Sequence, residues 1–255
     1  MDILVHTFGR SSELRQPTVH ALLADGITPT LVVQDSERDL YGWFHGPLIV
    51  LPSEIRQLSP TSDWLVHHCP GDSKVVFLDD DLHFFVRRGD DRTKFRAPAE
   101  GDLKSMMQAL ARTLDTHVHA GIAPREGGNR NTEHILYNTR IMRVLAYRRD
   151  YLQTHDLHFT PLIVMEDFHM NLQILESGQN TVLLNNWCSN QSEGSDAPGG
   201  CSVYRTDGVQ TASAMLLQQL HPKYVRVVEK ETKTAWGGGT RTDVIVQWKR
   251  ARAEA

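Results

Sequence analysis

The stretch SKVVFLDDDLHFF, residues 73–85, decides how this chain is read. Four apolar residues, Val75 to Leu78, run straight into three carboxylates, Asp79, Asp80 and Asp81, and the chain turns apolar again at Leu82, Phe84 and Phe85. A short apolar run bounded by polar residues reads as a buried strand. Like charges at its end repel one another, and each resists desolvation. A bound cation is the usual way to offset both effects. Side chains alternate on an extended segment, which sends Asp79 and Asp81 one way and Asp80 the other. The ordinary alternative is a solvated turn between two strands.

Working outward, apolar runs at 2–8, 28–36, 46–52, 116–122, 159–165 and 180–187 read as further strands. Between them, 17–25, 53–58, 102–115, 132–153, 168–176 and 212–220 read as helices. The clearest is 102–115, where Leu103, Met106, Met107, Leu110 and Leu114 recur at helical spacing behind Asp102 in a capping position. Strands alternating with helices predict an α/β domain on a mainly parallel sheet flanked by helices. The C-terminal part is mixed, with half-exposed strands at 223–231 and 243–250. The polar, glycine-rich loop 188–201 is expected to act as a mobile lid.

At 255 residues the chain is one large domain or two small ones. The net charge of −4 excludes a global basic field of the kind that drives nucleic-acid binding. Basic clusters at 87–96, 147–151 and 248–255 are interleaved with acids and read first as solvated surface. The three cysteines give no disulfide framework. The opening MDILVHTFGR has no basic region followed by a long apolar run, and no stretch approaches the ~20 apolar residues of a membrane span. The expectation is a cytoplasmic protein with no membrane partner.

A second acidic segment lies in PLIVMEDFHMNL, residues 161–172. An apolar run ends at Met165, and Glu166 and Asp167 open a helix. A hydroxyl is a poor nucleophile, and a carboxylate placed beside it removes its proton as a bond forms. The alternative is that Asp167 caps the helix. Between the two acidic segments, GIAPREGGNRNTEH (121–134) holds Gly127 and Gly128, which permit close backbone approach. Arg125 and Arg130 are suited to phosphate or sugar oxygens, and Asn129 to hydroxyls.

These features together resemble the GT-A fold glycosyltransferases. VVFLDDDLHF is similar to their DxD segment, an apolar strand followed by Asp-x-Asp that holds a divalent metal on a nucleotide-sugar diphosphate. Glu166–Asp167 resembles the downstream xED segment, whose acidic residue serves inverting members as base on the acceptor hydroxyl. The resemblance covers residues 1–228 as a catalytic domain and leaves 229–255 as a strand extension with a basic tail. It implies Asp79 and Asp81 as ligands to Mn²⁺ or Mg²⁺, with His221 as a late histidine ligand and His169 as a second possibility. Thr7, Phe8, Gly9, Arg10 and Asp35, after the first two strands, take the donor-binding positions together with Asp80. The 121–134 segment takes the substrate-binding position, and Trp187 is placed to stack on a sugar or base, or else in the core.

The implied function is metal-dependent transfer of a sugar from a nucleotide-diphosphate sugar, a UDP-sugar first, to a hydroxyl. A compact chain of this type also resembles the phage enzymes that decorate hydroxymethylated DNA bases. That resemblance implies a modified-DNA acceptor reached by base flipping, and a host-cytoplasmic setting if phage-encoded. Two alternatives stand beside it. One is a nucleotidyltransferase, against which TFGRSSELR carries a single glycine where a Gly-rich loop is usual. The other is a non-catalytic nucleotide-sugar or DNA-binding protein on the same fold, which would have no use for an acidic pair at 166–167. A third resemblance, of DTHVHAG (115–121) to the zinc-binding strand of barrel amidohydrolases, fails because too little chain follows to complete a barrel.

Overall fold

The computed structural model describes residues 1–191, 199–232 and 239–255. The elements follow in the order β1 (Asp2–His6), α1 (Pro17–Ala24), β2 (Thr30–Gln34), β3 (Leu48–Leu51), α2 (Leu58–His67), β4 (Lys74–Asp79), β5 (Leu82–Arg87), β6 (Phe95–Arg96), α3 (Asp102–Thr113) and β7 (His119–Pro124). Then come β8 (Ile135–Tyr137), β9 (Val144–Arg148), α4 (Arg149–Thr154), α5 (Glu166–Glu176), β10 (Thr181–Gln191), α6 (Asp207–Leu220), β11 (Val225–Thr232), β12 (Gly239–Val246) and α7 (Trp248–Ala253).

A ten-stranded sheet runs β3-β2-β1-β4-β9-β7-β10-β5-β6, with β8 also on β10. The pairs among β3, β2, β1 and β4 are parallel, and β7 pairs parallel with β10. Strand β9 is inserted antiparallel between β4 and β7, so β7 and β10 point the same way as β4. This is the expected α/β class, with a mixed far edge. The central strands are apolar throughout because helices cover both faces. In β4, Val75 to Leu78 are all buried, with Val76 and Leu78 in the cluster under α1 and α3, and Val75 and Phe77 in the cluster under α2 and α4. α3 buries the expected Leu103, Met106, Met107 and Leu110. Its cap is not Asp102, which pairs with Arg96; the Asp25 carboxylate beyond α1 accepts from the Gly101 and Lys104 amides instead.

Three expectations are corrected. Residues 132–153 are not a helix. They form β8, β9 and the short α4, with Asn138 and Arg143 at positive φ between them. The apolar residues of VLAYR satisfy either period, and β9 gains backbone partners on both sides only as a strand. Residues 159–165 are not a strand either. They follow an irregular path through a cis Thr160–Pro161 bond, and Leu162, Val164 and Met165 are buried against α5 and α6. The helix expected at 53–58 begins instead at Leu58 and takes Pro60 in its first turn, where no backbone donor is needed.

The hairpin β11–β12 and α7 share a core with α5 and α6 through Phe168, Leu172, Leu217, Tyr224, Val244 and Ala251. Strand β11 runs through residue 228. Half of the expected lid, 192–198, lies outside the described residues, and residues 188–191 form the end of β10 instead. Among the described residues, no helix is long and apolar enough to cross a membrane.

Candidate active site

Parallel strands leave their carboxyl ends open, and open α/β sheets bind ligands there. Here the ends of β1, β2 and β4 open into a cavity of about 360 Å³. His6, Thr7, Phe8 and Arg10 enter it from β1, Gln34 from β2, and Asp79, Asp80 and Asp81 from β4. Glu166 and Asp167 enter from the start of α5. Two acidic segments more than eighty residues apart in sequence therefore face one space.

The triplet is held from below by α1. The Thr18 hydroxyl donates to the Asp79 carbonyl at 2.7 Å and accepts from the Leu82 amide at 2.8 Å, and the Thr18 amide donates to the Asp80 carbonyl. The turn this creates ends β4 at Asp79, so the expected alternation stops there. Arg10 Nη1 stands 2.8 Å from both Asp80 Oδ1 and Asp81 Oδ2, and all three side chains are nearly buried. Asp80 and Asp81 thus share one guanidinium rather than pointing apart.

The cavity is short of compensating charge around Asp79. Burial, with Asp81 and Asp80 beside it, holds the Asp79 carboxyl well above the usual carboxylate range, despite Arg143 nearby. Burial pushes Asp80 up to about 6 even with Arg10 in contact, and Asp80 Oδ2 is buried with no hydrogen-bond partner. An oxygen-only donor set with unneutralised charge suits a hard divalent cation such as Mn²⁺ or Mg²⁺. The residues present fit that group.

The loop after β1 is pinned on several sides. Gln16 Nε2 donates to Thr7 Oγ1 and to the Arg10 carbonyl, and Thr7 Oγ1 also meets the Tyr41 hydroxyl at 2.8 Å. The Gly9 amide donates to the Glu37 carboxylate. Gly199 approaches so closely that a Cβ there would stand 2.7 Å from the Gly9 carbonyl oxygen.

At the other wall, Met165 takes a left-handed conformation (φ 67°) and turns the chain into α5. Glu166 and Asp167 are then the first two helical residues, and the N-cap position falls to Met165, which makes no side-chain cap. Asp167 is therefore not the N-cap, although both acids lie where the helix dipole favours negative charge. Burial, and then Asp167 beside it, push Glu166 up to about 8. Burial also raises Asp167, against the pull of Arg140, whose guanidinium lies 4.3 Å over the Phe168 ring. Both carboxyls are thus raised by burial, and each disfavours ionisation of the other.

Beyond Arg10, the cavity is lined by four arginines that sequence reasoning missed, Arg140, Arg143, Arg205 and Arg241. The first two fall in the stretch expected to be helical, where RIMR gave no reason to aim them anywhere. Arg143 is bound to Glu126 at 3.0 and 2.9 Å, which ties the 121–134 segment to the cavity wall. Cys201 also lines the cavity, but burial pushes its thiol up to about 12, which excludes a thiolate nucleophile.

Several expected site residues lie elsewhere. His221 does not line the cavity, and both ring nitrogens are engaged, by His169 Nδ1 and by Glu176 Oε2, each at 2.8 Å. Asp35 is an exposed residue just past Gln34, which lines the cavity in its place. Arg125 lies over the Phe85 ring at 4.5 Å, and the Gly128 carbonyl accepts from Arg87. Gly127, Asn129 and Arg130 accompany them away from the cavity. Trp187 packs against the core and donates its indole N–H to the Asp102 carbonyl.

Residues 1–200 match the TET-Associated Glycosyltransferase family, and the protein belongs to it. The glycosyltransferase class expected from the two acidic segments stands with that membership. Among solved structures, a mannosyltransferase from Pyrobaculum calidifontis, determined with GDP-mannose and Mn²⁺, is 16% identical with a TM-score of 0.49. That alignment covers 71% of this chain and 53% of the mannosyltransferase, so the chain spans about half of that protein's length. A CMP-2-keto-3-deoxy-manno-octonic acid synthetase bound to CTP is 14% identical over 72% of this chain and 88% of its own, with a TM-score of 0.46. A 4-diphosphocytidyl-2C-methyl-D-erythritol synthase from Anaerococcus prevotii is 12% identical over 84% and 97%, at 0.42. No curated protein sequence is significantly similar.

Proposed function

We propose that the protein transfers a sugar from a nucleotide-diphosphate sugar to the hydroxyl of a hydroxymethylated base in DNA. The observation that supports this reading is the meeting of Asp79–Asp81, Glu166–Asp167 and the arginines in one cavity. Asp79 and Asp81 would hold Mn²⁺ or Mg²⁺. When bound, the ion supplies positive charge to the donor diphosphate as it leaves. Arg140, Arg143 and Arg205 add positive charge to the cavity lining, suited to phosphate oxygens. Arg10 holds the Asp80 and Asp81 carboxylates in place. Thr7, Phe8 and the Gln16–Thr7–Tyr41 hydrogen bonds shape the end of the cavity next to β1, which suits the nucleoside.

Asp167 is the base in this reading. It lines the cavity at the start of α5, and burial raises its pKa, which makes it a stronger base toward an acceptor hydroxyl. The family's association with TET fits a hydroxymethylated DNA base as acceptor. The net charge of −4 places the burden of DNA binding on local basic segments rather than on a global field.

A thermal-shift panel of nucleoside diphosphates and nucleotide sugars, with and without Mn²⁺, tests the donor site. The expected result is stabilisation that needs both metal and diphosphate, with UDP compounds tried first. The best donor is then offered with hydroxymethylated duplex and single-stranded DNA, and transfer is read as a mass increase of one sugar. Metal-dependent donor binding without transfer to any acceptor would favour a non-catalytic binder. Absence of any metal-dependent shift would remove the donor site.

A further inference from the structure

Away from the cavity, Asp63, His67 and His158 bring one ligand atom each to within 4.8 Å of one another. Asp63 and His67 lie four residues apart on α2 and share a face of that helix. His158 comes from the irregular segment that leads into Glu166. None of the three lines the active-site cavity.

The hydrogen bonds fix the tautomers. His67 Nε2 stands 3.0 Å from the Leu157 carbonyl, which only accepts, so this nitrogen carries the proton. His158 Nε2 stands 3.1 Å from Asp156 Oδ1, again an acceptor. In each neutral ring the lone pair is then on Nδ1. This is the outer arrangement that orients metal-bound histidines, in which the far N–H is donated to a carbonyl or carboxylate.

His158 Nδ1 faces Asp63 Oδ2 at 3.6 Å. That is too long for a hydrogen bond, and a lone pair facing a carboxylate is repulsive unless a metal ion or a proton offsets it. Around a tetrahedral Zn²⁺, with bonds of about 2.0–2.1 Å, neighbouring ligand atoms stand roughly 3.3–3.5 Å apart. The rings of His67 and His158 are stacked with centroids 4.3 Å apart, a poor arrangement for two imidazolium cations. Asp63 already accepts from the Phe159 amide and from the Thr160 amide and hydroxyl. Both Thr160 groups use Oδ2 and the Phe159 amide uses one side of Oδ1, so of about four acceptor positions the one left for a metal is on Oδ1.

We propose that Asp63, His67 and His158 form a second metal site, selective for Zn²⁺-like borderline cations over Mg²⁺ and Mn²⁺, that fastens the segment entering the Glu166–Asp167 turn to α2. Imidazole nitrogen favours such cations, whereas the all-oxygen set at Asp79–Asp81 favours hard ones. Water completes the coordination, since all three side chains are partly exposed.

The test uses the full-length protein after chelation, in excess Mg²⁺ to occupy the oxygen site. Zn²⁺ and Co²⁺ are titrated against wild type, H67Q, H158Q and D79N, with circular dichroism confirming that each is folded. The expected result is one equivalent of Zn²⁺ not displaced by Mg²⁺, at least tenfold weaker binding in H67Q and in H158Q, and unchanged binding in D79N. Bound Co²⁺ should show the visible absorption of a four- or five-coordinate nitrogen and oxygen site in wild type and D79N alike. Zn²⁺ binding that survives both histidine substitutions, or that disappears only in D79N, overturns the proposal. So does the absence of Zn²⁺ binding by folded wild type, which would leave a proton shared between His158 and Asp63. The two histidine variants report independently, so misfolding of one does not remove the test.

Discussion

Replacing Arg10 by Gln removes a guanidinium in direct contact with both Asp80 and Asp81. Arg10 Nη1 stands 2.8 Å from a carboxylate oxygen of each, and the side chains are 10%, 5% and 6% exposed, respectively. Removing one partner from a buried ion pair costs about 3–5 kcal/mol, because the remaining charge stays out of water. For a domain of this size, 1 kcal/mol corresponds to roughly 2–4 °C, so R10Q should melt about 10 °C below wild type without metal. Glutamine returns at most one neutral hydrogen bond. The loss should be partly reversible by charge. If Mn²⁺ binds the same carboxylates, saturating Mn²⁺ should raise the melting temperature of R10Q by more than it raises that of wild type. Scanning calorimetry of both proteins, in chelator and in Mn²⁺, measures all four values. A chelator-state loss of under about 1 kcal/mol would refute the view that Asp80 and Asp81 are buried charges held by Arg10. A normal loss with no extra Mn²⁺ rescue would keep the ion pair and refute the metal's place beside it.

D79N should abolish Mn²⁺-dependent donor binding, measured by calorimetric titration, while the metal-free protein melts no lower than wild type, because one of three crowded carboxylates has been neutralised. D167N should keep donor affinity and lower kcat by about 10²–10⁴, as loss of a general base does; loss of folding instead would mark Asp167 as structural. His119 is fully buried, and burial lowers its pKa to about 4 while its Nδ1 bonds the Ala146 carbonyl. A histidine held below its unfolded value near 6.5 stabilises the fold fully above that pH and loses the contribution as pH falls toward 4. Between pH 6.5 and 5, wild type should therefore lose about 2 kcal/mol more than H119Q in denaturant titrations; parallel pH profiles would show that His119 does not set acid stability.

The elements legible in sequence were those with one strong period and clear ends. β1, β2, β3 and β4 are short apolar runs bounded by polar or turn residues, and α3 carries a single apolar face. What could not be read was decided by partners distant in sequence. VLAYR is a strand because β4 and β7 flank it, and local propensity does not see them. FTPLIVM has the composition of a strand, but Pro161 cannot donate to a ladder, and its apolar side chains bury against helices instead. The triplet's alternation failed for a similar reason. Thr18, from α1, bonds the backbone on either side of Asp80 and bends it out of extended geometry.

The same limit explains which site residues sequence could name. Acidic residues that follow an apolar strand or open a helix announce themselves, because burial of charge is anomalous wherever it occurs. Arginines do not, because a surface arginine is ordinary and only its surroundings make it functional. Arg140 and Arg143 matter here because the segment expected to be helical is in fact a bend leading into β9, which carries them to the cavity beside Asp79. Positive φ at Arg143 and at Met165 turns the chain at both acidic ends of the site, at Asp79, whose amide bonds the Arg143 carbonyl, and at Glu166. Non-glycine residues rarely hold that conformation without strain, so packing around them must fix it. The charge pattern of the cavity therefore rests on two backbone turns that no residue-type signal marks.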